Sequence, residues 1–141
     1  MGGNLLKLIY GMNVVNSPNQ KEEGIEDSKE AFKADTMRSG EGMCNEKLIE
    51  TMSNKSNEAY QYLVDLGVQF ESLHRLGGHS VKRSLFTVDC NQILNQISHL
   101  FYQFVDQELI SVFFGCRVTD IVQHQDRIDI SFETVDKGKK N

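Results

Sequence analysis

The chain has 141 residues, 39% of them apolar, and 15 Lys and Arg against 20 Asp and Glu give a formal charge of -5. That length suits one ordinary domain, the acidic balance excludes a general nucleic-acid binder, which needs a basic surface, and no apolar run approaches the length of a membrane span. The opening residues, Met1-Gly2-Gly3-Asn4-Leu5-Leu6-Lys7, have neither the charged start nor the apolar stretch of a secretory signal, so the expected compartment is intracellular, cytoplasmic or mitochondrial.

Residues 1–20 are rich in Gly and Asn, hold the only proline, Pro18, and read as loop around the apolar piece 5–10. A helix is expected from Asp27 or Ser28, where Asp27 and Glu30 have capping-box spacing, with Gly40 as its stop. A second helix starts near Asn45 with Leu48, Ile49 and Met52 on one face. A third covers residues 57–66, striped by Ala59, Tyr62, Leu63 and Leu66, and Gly67 stands where a left-handed cap residue belongs. Residues 68–70 suggest a short strand. Residues 73–86 read as a glycine-centred loop flanked by cations. The clearest helix spans 89–107, where Ile93, Leu94, Ile97, Leu100, Phe101, Phe104 and Val105 repeat at helical spacing. Residues 111–114 read as a buried strand, and 118–122 and 128–132 as two strands joined at Gln125-Asp126-Arg127. The tail, 137–141, is polar.

Cys44, Cys90 and Cys116 are odd in number and far apart, which reads as free thiols in a reducing compartment. His74, His79, His99 and His124 form no ligand pattern, so no metal site is expected. The chain carries no nucleophile elbow, P-loop or zincin motif. Two features stand out. Gly2-Gly3-Asn4 and Gly11-Met12-Asn13 are either two turns or places where backbone approaches a ligand closely. Residues 75–83 are either a basic surface loop or an anion cradle.

The order of these features carries a resemblance. Gly2-Gly3-Asn4, Lys7, Gly11-Met12-Asn13, Gln20, Gly24-Ile25-x-Asp27-Ser28 and Phe32-x-x-Asp35-Thr36 closely resemble the fumarate reductase flavoproteins. That family takes in soluble fumarate reductases, flavocytochromes c and succinate dehydrogenase flavoprotein subunits. Asn57-Glu58-Ala59-x-x-Tyr62-Leu63-x-x-Leu66-Gly67, Leu76-Gly77-Gly78-His79-Ser80-Val81-x-Arg83 and Gly115-Cys116-Arg117-Val118-Thr119-Asp120-Ile121 continue it in register. The chain departs from the family pattern at Leu5, at Leu8-Ile9-Tyr10 and at Ser84-Leu85.

The fold this resemblance implies is an α+β segment of an α/β, Rossmann-like FAD-binding domain. Helices fill its first two thirds, then come one long amphipathic helix, short strands that return to the domain's sheet, and a hairpin. Residues 1–141 would form a partial domain, without the dinucleotide fingerprint that the family places ahead of G-G-N and without the cap and catalytic region that follows. The implied activity is hydride transfer from FAD to fumarate, giving succinate, so the implied small-molecule partner is a dicarboxylate. No catalytic residue is implied here, because the family's lie downstream. The implied FAD contacts are Asn4, Gly11, Met12 and Asn13 along the pyrophosphate and flavin ring, and Val118 at the adenine. Arg75, His79, Lys82 and Arg83 would be exposed at the junction with the cap domain. The alternative is a non-catalytic, residual or partner-dependent protein of the same family. As a partial domain under either reading, the helix over 89–107 would lack part of its cover, which predicts exposed apolar surface at Phe101, Phe104 or Phe113, and self-association.

Overall fold

The computed structural model describes residues 11–89 and 91–134. They divide into two compact units, Met1–Phe101 and Tyr102–Asn141. The first holds β1 (Gly11–Asn13), α1 (Pro18–Glu22), α2 (Lys29–Ser39), α3 (Glu46–Asp65), β2 (Phe70–His74), β3 (Ser84–Thr87) and most of α4 (Gln92–Asp106). Its strands make an antiparallel sheet in the order β1-β3-β2. The middle strand is covered on both faces: Ser84, Leu85 and Thr87 are all buried. Val14, Leu73 and Leu85 form the centre of the core, and Met12, Ile25, Tyr60 and Phe70 pack against them. The Tyr60 and Phe70 rings lie 5.3 Å apart.

Caps define the helices. Ser17 and Gln20 form a reciprocal capping box on α1, with Pro18 in the first turn, where its missing N–H costs nothing. This helix and β1 replace the loop expected over residues 11–20, while the stretch 1–10 lies outside the described residues. On α2 the cap is Ser28, whose hydroxyl accepts from Ala31 N at 3.0 Å. The Asp27–Glu30 capping box does not form, because the Asp27 carboxylate is engaged by Arg83. Gly40 ends α2 and Gly67, at φ +91°, follows the end of α3, both as expected.

The two helices expected after Gly40 are one helix of 20 residues. Ser53, Asn54 and Ser56 look like a polar interruption in the sequence. Inside α3 the hydroxyls of Ser53 and Ser56 are buried and accommodated: Ser53 Oγ donates to Glu50 O, and Ser56 Oγ to Ser53 O. Strand β2 begins two residues later than expected, and β2 and β3 take the ends of the stretch 73–86, leaving 75–83 as loop.

In the second unit, β4 (Cys116–Gln123) and β5 (Ile128–Thr134) form an antiparallel hairpin closed by His124 N donating to Arg127 O. This is a separate two-stranded sheet, not a return to the first one. The strand expected over 111–114 does not form. The chain turns at Glu108 (φ +59°) and Gly115 (φ +66°) on either side, and among the described residues no strand pairs with that segment. Phe113, inside the segment read as a buried strand and also named for exposure, is 71% exposed.

Candidate functional site

Arg83 sits immediately before β3 and is fully buried. Its Nε and Nη2 donate to the two Asp27 oxygens at 3.0 and 2.7 Å, the bidentate fork that suits a guanidinium and a carboxylate. Its Nη1 donates to Asp35 Oδ2 at 2.8 Å, and its guanidinium carbon lies 4.9 Å from the Phe32 ring centre. Asp35 is also held by Ser80 N at 2.7 Å, Ser80 Oγ at 2.8 Å and Arg38 Nη2 at 2.5 Å. Arg38 in turn donates to Gly78 O at 2.7 Å. Gln20 Nε2 ties Asp27 Oδ2 to Lys82 O. A buried ion pair is tolerable only with such complete hydrogen bonding. Burial drives the Asp35 pKa up, but the hydrogen bonds from Ser80, Arg38 and Arg83 outweigh it and hold the carboxyl well below the usual range.

This network fixes the 75–83 loop against α2. It also overturns the expectation that Arg83 is exposed and free for an external anion, because its anions are Asp27 and Asp35. Lys82 does remain at the surface, paired with Glu23 at 2.7 Å. His79, half-buried, presents Nδ1 to Ser84 Oγ at 3.4 Å, and its ring meets Phe32 edge-on. Burial, then the nearby Arg83 cation, push its pKa below 6.5, against the smaller pull of Asp35 and Asp27.

Beside β1 lies a cleft of about 330 Å³, lined by Met12 and Asn13 from the strand and by Thr51, Met52, Lys55, Ser56 and Ala59 from α3. Two features set its wall. Gly11 pairs with Phe86 so closely that a Cβ would collide with the Leu85 carbonyl. The chain leaving β1 is then stitched to α3: Val15 N donates to Ser56 Oγ at 3.3 Å, and Asn57 Nδ2 donates to Val15 O. Asn13 Oδ1 accepts from the buried Ser84 Oγ at 2.6 Å.

Of the residues expected to contact a cofactor, Gly11, Met12 and Asn13 share β1, and the last two line the cleft. Asn4 lies outside the described residues. Val118 is on β4 in the second unit. The sequence reading missed Ser56, and it named Asn57 only as a motif position and Ser84 only as a departure from the family pattern. Gln20, Asp27, Asp35 and Arg83 were visible as motif positions, but nothing in their spacing showed that they pair with one another. Among the described residues no His, Cys, Asp or Glu group is arranged to hold a metal, and no helix is long and apolar enough to cross a membrane.

Residues 11–135 match the FAD binding domain family. The chain is 32% identical over 84 residues to the NADH:fumarate oxidoreductase of Klebsiella pneumoniae, covering 60% of this chain and 9% of that protein. It is 37% identical over 82 residues to the acrylate reductase flavoprotein subunit of Shewanella woodyi, covering 57% and 16%. With fumarate reductase 1 of Saccharomyces cerevisiae the figures are 34% over 85 residues, 60% and 18%. The open conformation of a flavocytochrome c3 fumarate reductase superposes with a TM-score of 0.75 at 27% identity, over 89% of this chain and 22% of that one. Sdh1 of Mycobacterium smegmatis shares the fold, with a TM-score of 0.67 at 19% identity, over 89% and 23%. The chain thus spans less than a quarter of each of these proteins.

Proposed function

Because the chain belongs to the FAD binding domain family, we propose that it is part of an FAD-dependent reductase of fumarate or a closely related unsaturated carboxylate. Its contribution is cofactor contact through Gly11, Met12 and Asn13, with Asn4 and Val118 completing the set. The observation that carries this reading is the cleft beside β1, which Met12 and Asn13 line together.

The residues present fit a flavin. Met12, Met52 and Ala59 give an apolar wall for a ring, and Asn13 and Lys55 give polar groups at its edge. At about 330 Å³ the cleft is near the lower end of small-ligand sites, which run from about 300 to 1,000 Å³. It suits one ring system rather than a whole dinucleotide. When bound, FAD supplies the electron pair that such a reduction consumes. The chain's own part is to place the ring: Gly11 lets β1 lie flush on β3, and the Ser56 and Asn57 bonds to Val15 hold the strand against α3.

The test is titration of the purified chain into FAD, following flavin fluorescence and absorbance. Saturable quenching, weakened by Met12→Asp, is the expected result; no saturable change overturns the reading. A second reading is of a non-catalytic or partner-dependent protein of the same family. It predicts FAD binding without fumarate-dependent oxidation of a reduced viologen, and turnover by the chain alone would remove it.

A further inference from the structure

The hydroxyl of Ser84 has one hydrogen, and it is committed. Ser84 Oγ donates to Asn13 Oδ1 at 2.6 Å, inside a site where Ser84 is buried. His79 Nδ1 faces the same Oγ at 3.4 Å. With that hydrogen directed to Asn13, Nδ1 meets Ser84 Oγ only as a donor, which calls for a proton on Nδ1. A neutral imidazole with its hydrogen on Nδ1 meets this need. The burial and the neighbouring Arg83 cation that lower the His79 pKa favour that neutral form.

The consequence falls on Asn13. With its oxygen held by Ser84, the carboxamide cannot flip. In a planar carboxamide the NH2 is then turned away from Ser84, on a residue that lines the cleft. We propose that His79 and Ser84 act as a positioning relay that locks the Asn13 carboxamide oxygen inward, so that the cleft presents a hydrogen-bond donor and selects a ring edge bearing an acceptor atom. This deepens the flavin reading and rests on it for the ligand, while the relay itself stands on the protein's own geometry. Behind the relay, the Arg83 pairs with Asp27 and Asp35 anchor the loop that carries His79 and the strand that carries Ser84. His79 and Ser84 are positioning residues, and Asn13 is the contact.

Two measurements test it separately. In the apo protein, nitrogen-15 NMR of the imidazole reads the His79 tautomer. The expected state is neutral with the proton on Nδ1, and Ser84→Ala should change the His79 nitrogen shifts and the Asn13 side-chain amide signals, with Ser84→Thr restoring both. A proton on Nε2 alone would mean that Ser84 donates to His79 instead, and the relay would be overturned. FAD titration then reads selection. Loss of one neutral hydrogen bond predicts about three- to tenfold weaker binding for Ser84→Ala, and Asn13→Asp, which keeps the shape but replaces the donor by a charged acceptor, should weaken it at least as much. Ser84→Thr should bind like the parent. If Ser84→Ala fails to fold, the tautomer of the parent protein still decides. Absence of FAD binding by the parent chain would sink the flavin reading and with it the selection, while the tautomer would still decide the relay. Unchanged FAD affinity in a folded Asn13→Asp protein would overturn the selection.

Discussion

Arg83 shows what a single side chain does here. Two carboxylates, from residues 56 and 48 positions earlier, converge on one buried guanidinium. Arg83→Met leaves Asp27 without a cation and Asp35 with only the largely exposed Arg38, and a broken buried pair of this kind costs about 3–5 kcal/mol. That is a large share of the total for a small domain, so urea unfolding should show either a much lower midpoint or no folded baseline. Arg83→Lys keeps the charge but loses the fork to Asp27, and should fall between. Acid should expose the same network. The folded Asp35 carboxyl titrates below the unfolded one, so between the two values the unfolded chain holds more protons and falling pH favours unfolding. Its contribution is complete above about pH 4, the ordinary carboxylate value, and is lost as pH falls further. His79 has the same sign, since its folded pKa also lies below its ordinary value: its contribution is complete above 6.5 and is lost as pH falls below it. Thermal melts from pH 8 to pH 3 should therefore drop in two stages. Asp35→Asn should flatten the lower stage and His79→Gln the upper. None of this pairing was legible in the sequence, where 75–83 reads as either a basic surface loop or a cradle for an external anion. Local charge reveals a cation but not a partner 48 positions away.

The elements were legible in proportion to how locally they are determined. Helix α4 and the α2 stop at Gly40 follow from spacing and composition within a few residues. So does Gly67, whose φ of +91° is one that glycine adopts freely. Gly67→Ala should cost on the order of 1–2 kcal/mol from the left-handed backbone alone, since the added methyl would make only ordinary contact with Gln96. Strand β1 is the opposite case. Three residues, Gly11-Met12-Asn13, show no alternation, and the strand exists because β3 supplies its ladder and α3 ties down Val15 just beyond it. There glycine is needed for space rather than for φ. Gly11→Ala would drive a methyl into the Leu85 carbonyl, so it should unpair β1 from β3 and erase FAD quenching along with the exchange protection of the β1 amides. The continuity of α3 was hidden for the same reason. Ser53 and Ser56 are polar inside a helix because Ser56 must reach Val15 N, a bond 41 positions long. Ser56→Ala leaves that buried amide without an acceptor, which predicts about 1–3 kcal/mol lost in urea unfolding, with helix content by circular dichroism unchanged at the start.

At the scale of the whole molecule, apolar surface is divided unevenly. The buried apolar residues, among them Val14, Phe32, Ile49, Leu85 and Ile93, all belong to the first unit. In the second, Val118, Ile121, Ile128, Ile130 and Phe132 are each more than half exposed. The alternation of 128–132 was legible, but the face of β4 was not. Val118 and Ile121 are three apart, which in a regular strand would put them on opposite faces. The irregularity between Val118 and Asp120 inserts a residue, so Val118 faces Phe132 and Ile121 faces Ile130. The hairpin therefore gathers Val118, Ile121, Ile128, Ile130 and Phe132 on one face, with Val122 opposite Asp129 on the other, and the Phe113 ring lies 5.9 Å from Phe132. Exposure of Phe104 and Phe113 agrees with the sequence expectation, while Phe101 is half-buried. A two-stranded sheet is marginal without a cover on its apolar face, and a contiguous exposed patch drives association. The proposal is that the isolated chain self-associates through this face. Light scattering across a concentration series should show a rising mass, and a hydrophobic dye should bind. Ile121→Thr with Phe132→Thr keeps strand propensity while removing apolar area. This pair should return the mass to that of one chain without changing the melt of the first unit. A constant single-chain mass and no dye binding in the parent protein would mean that the hairpin face is not an association surface, and the uneven division of apolar residues would then have no consequence in solution.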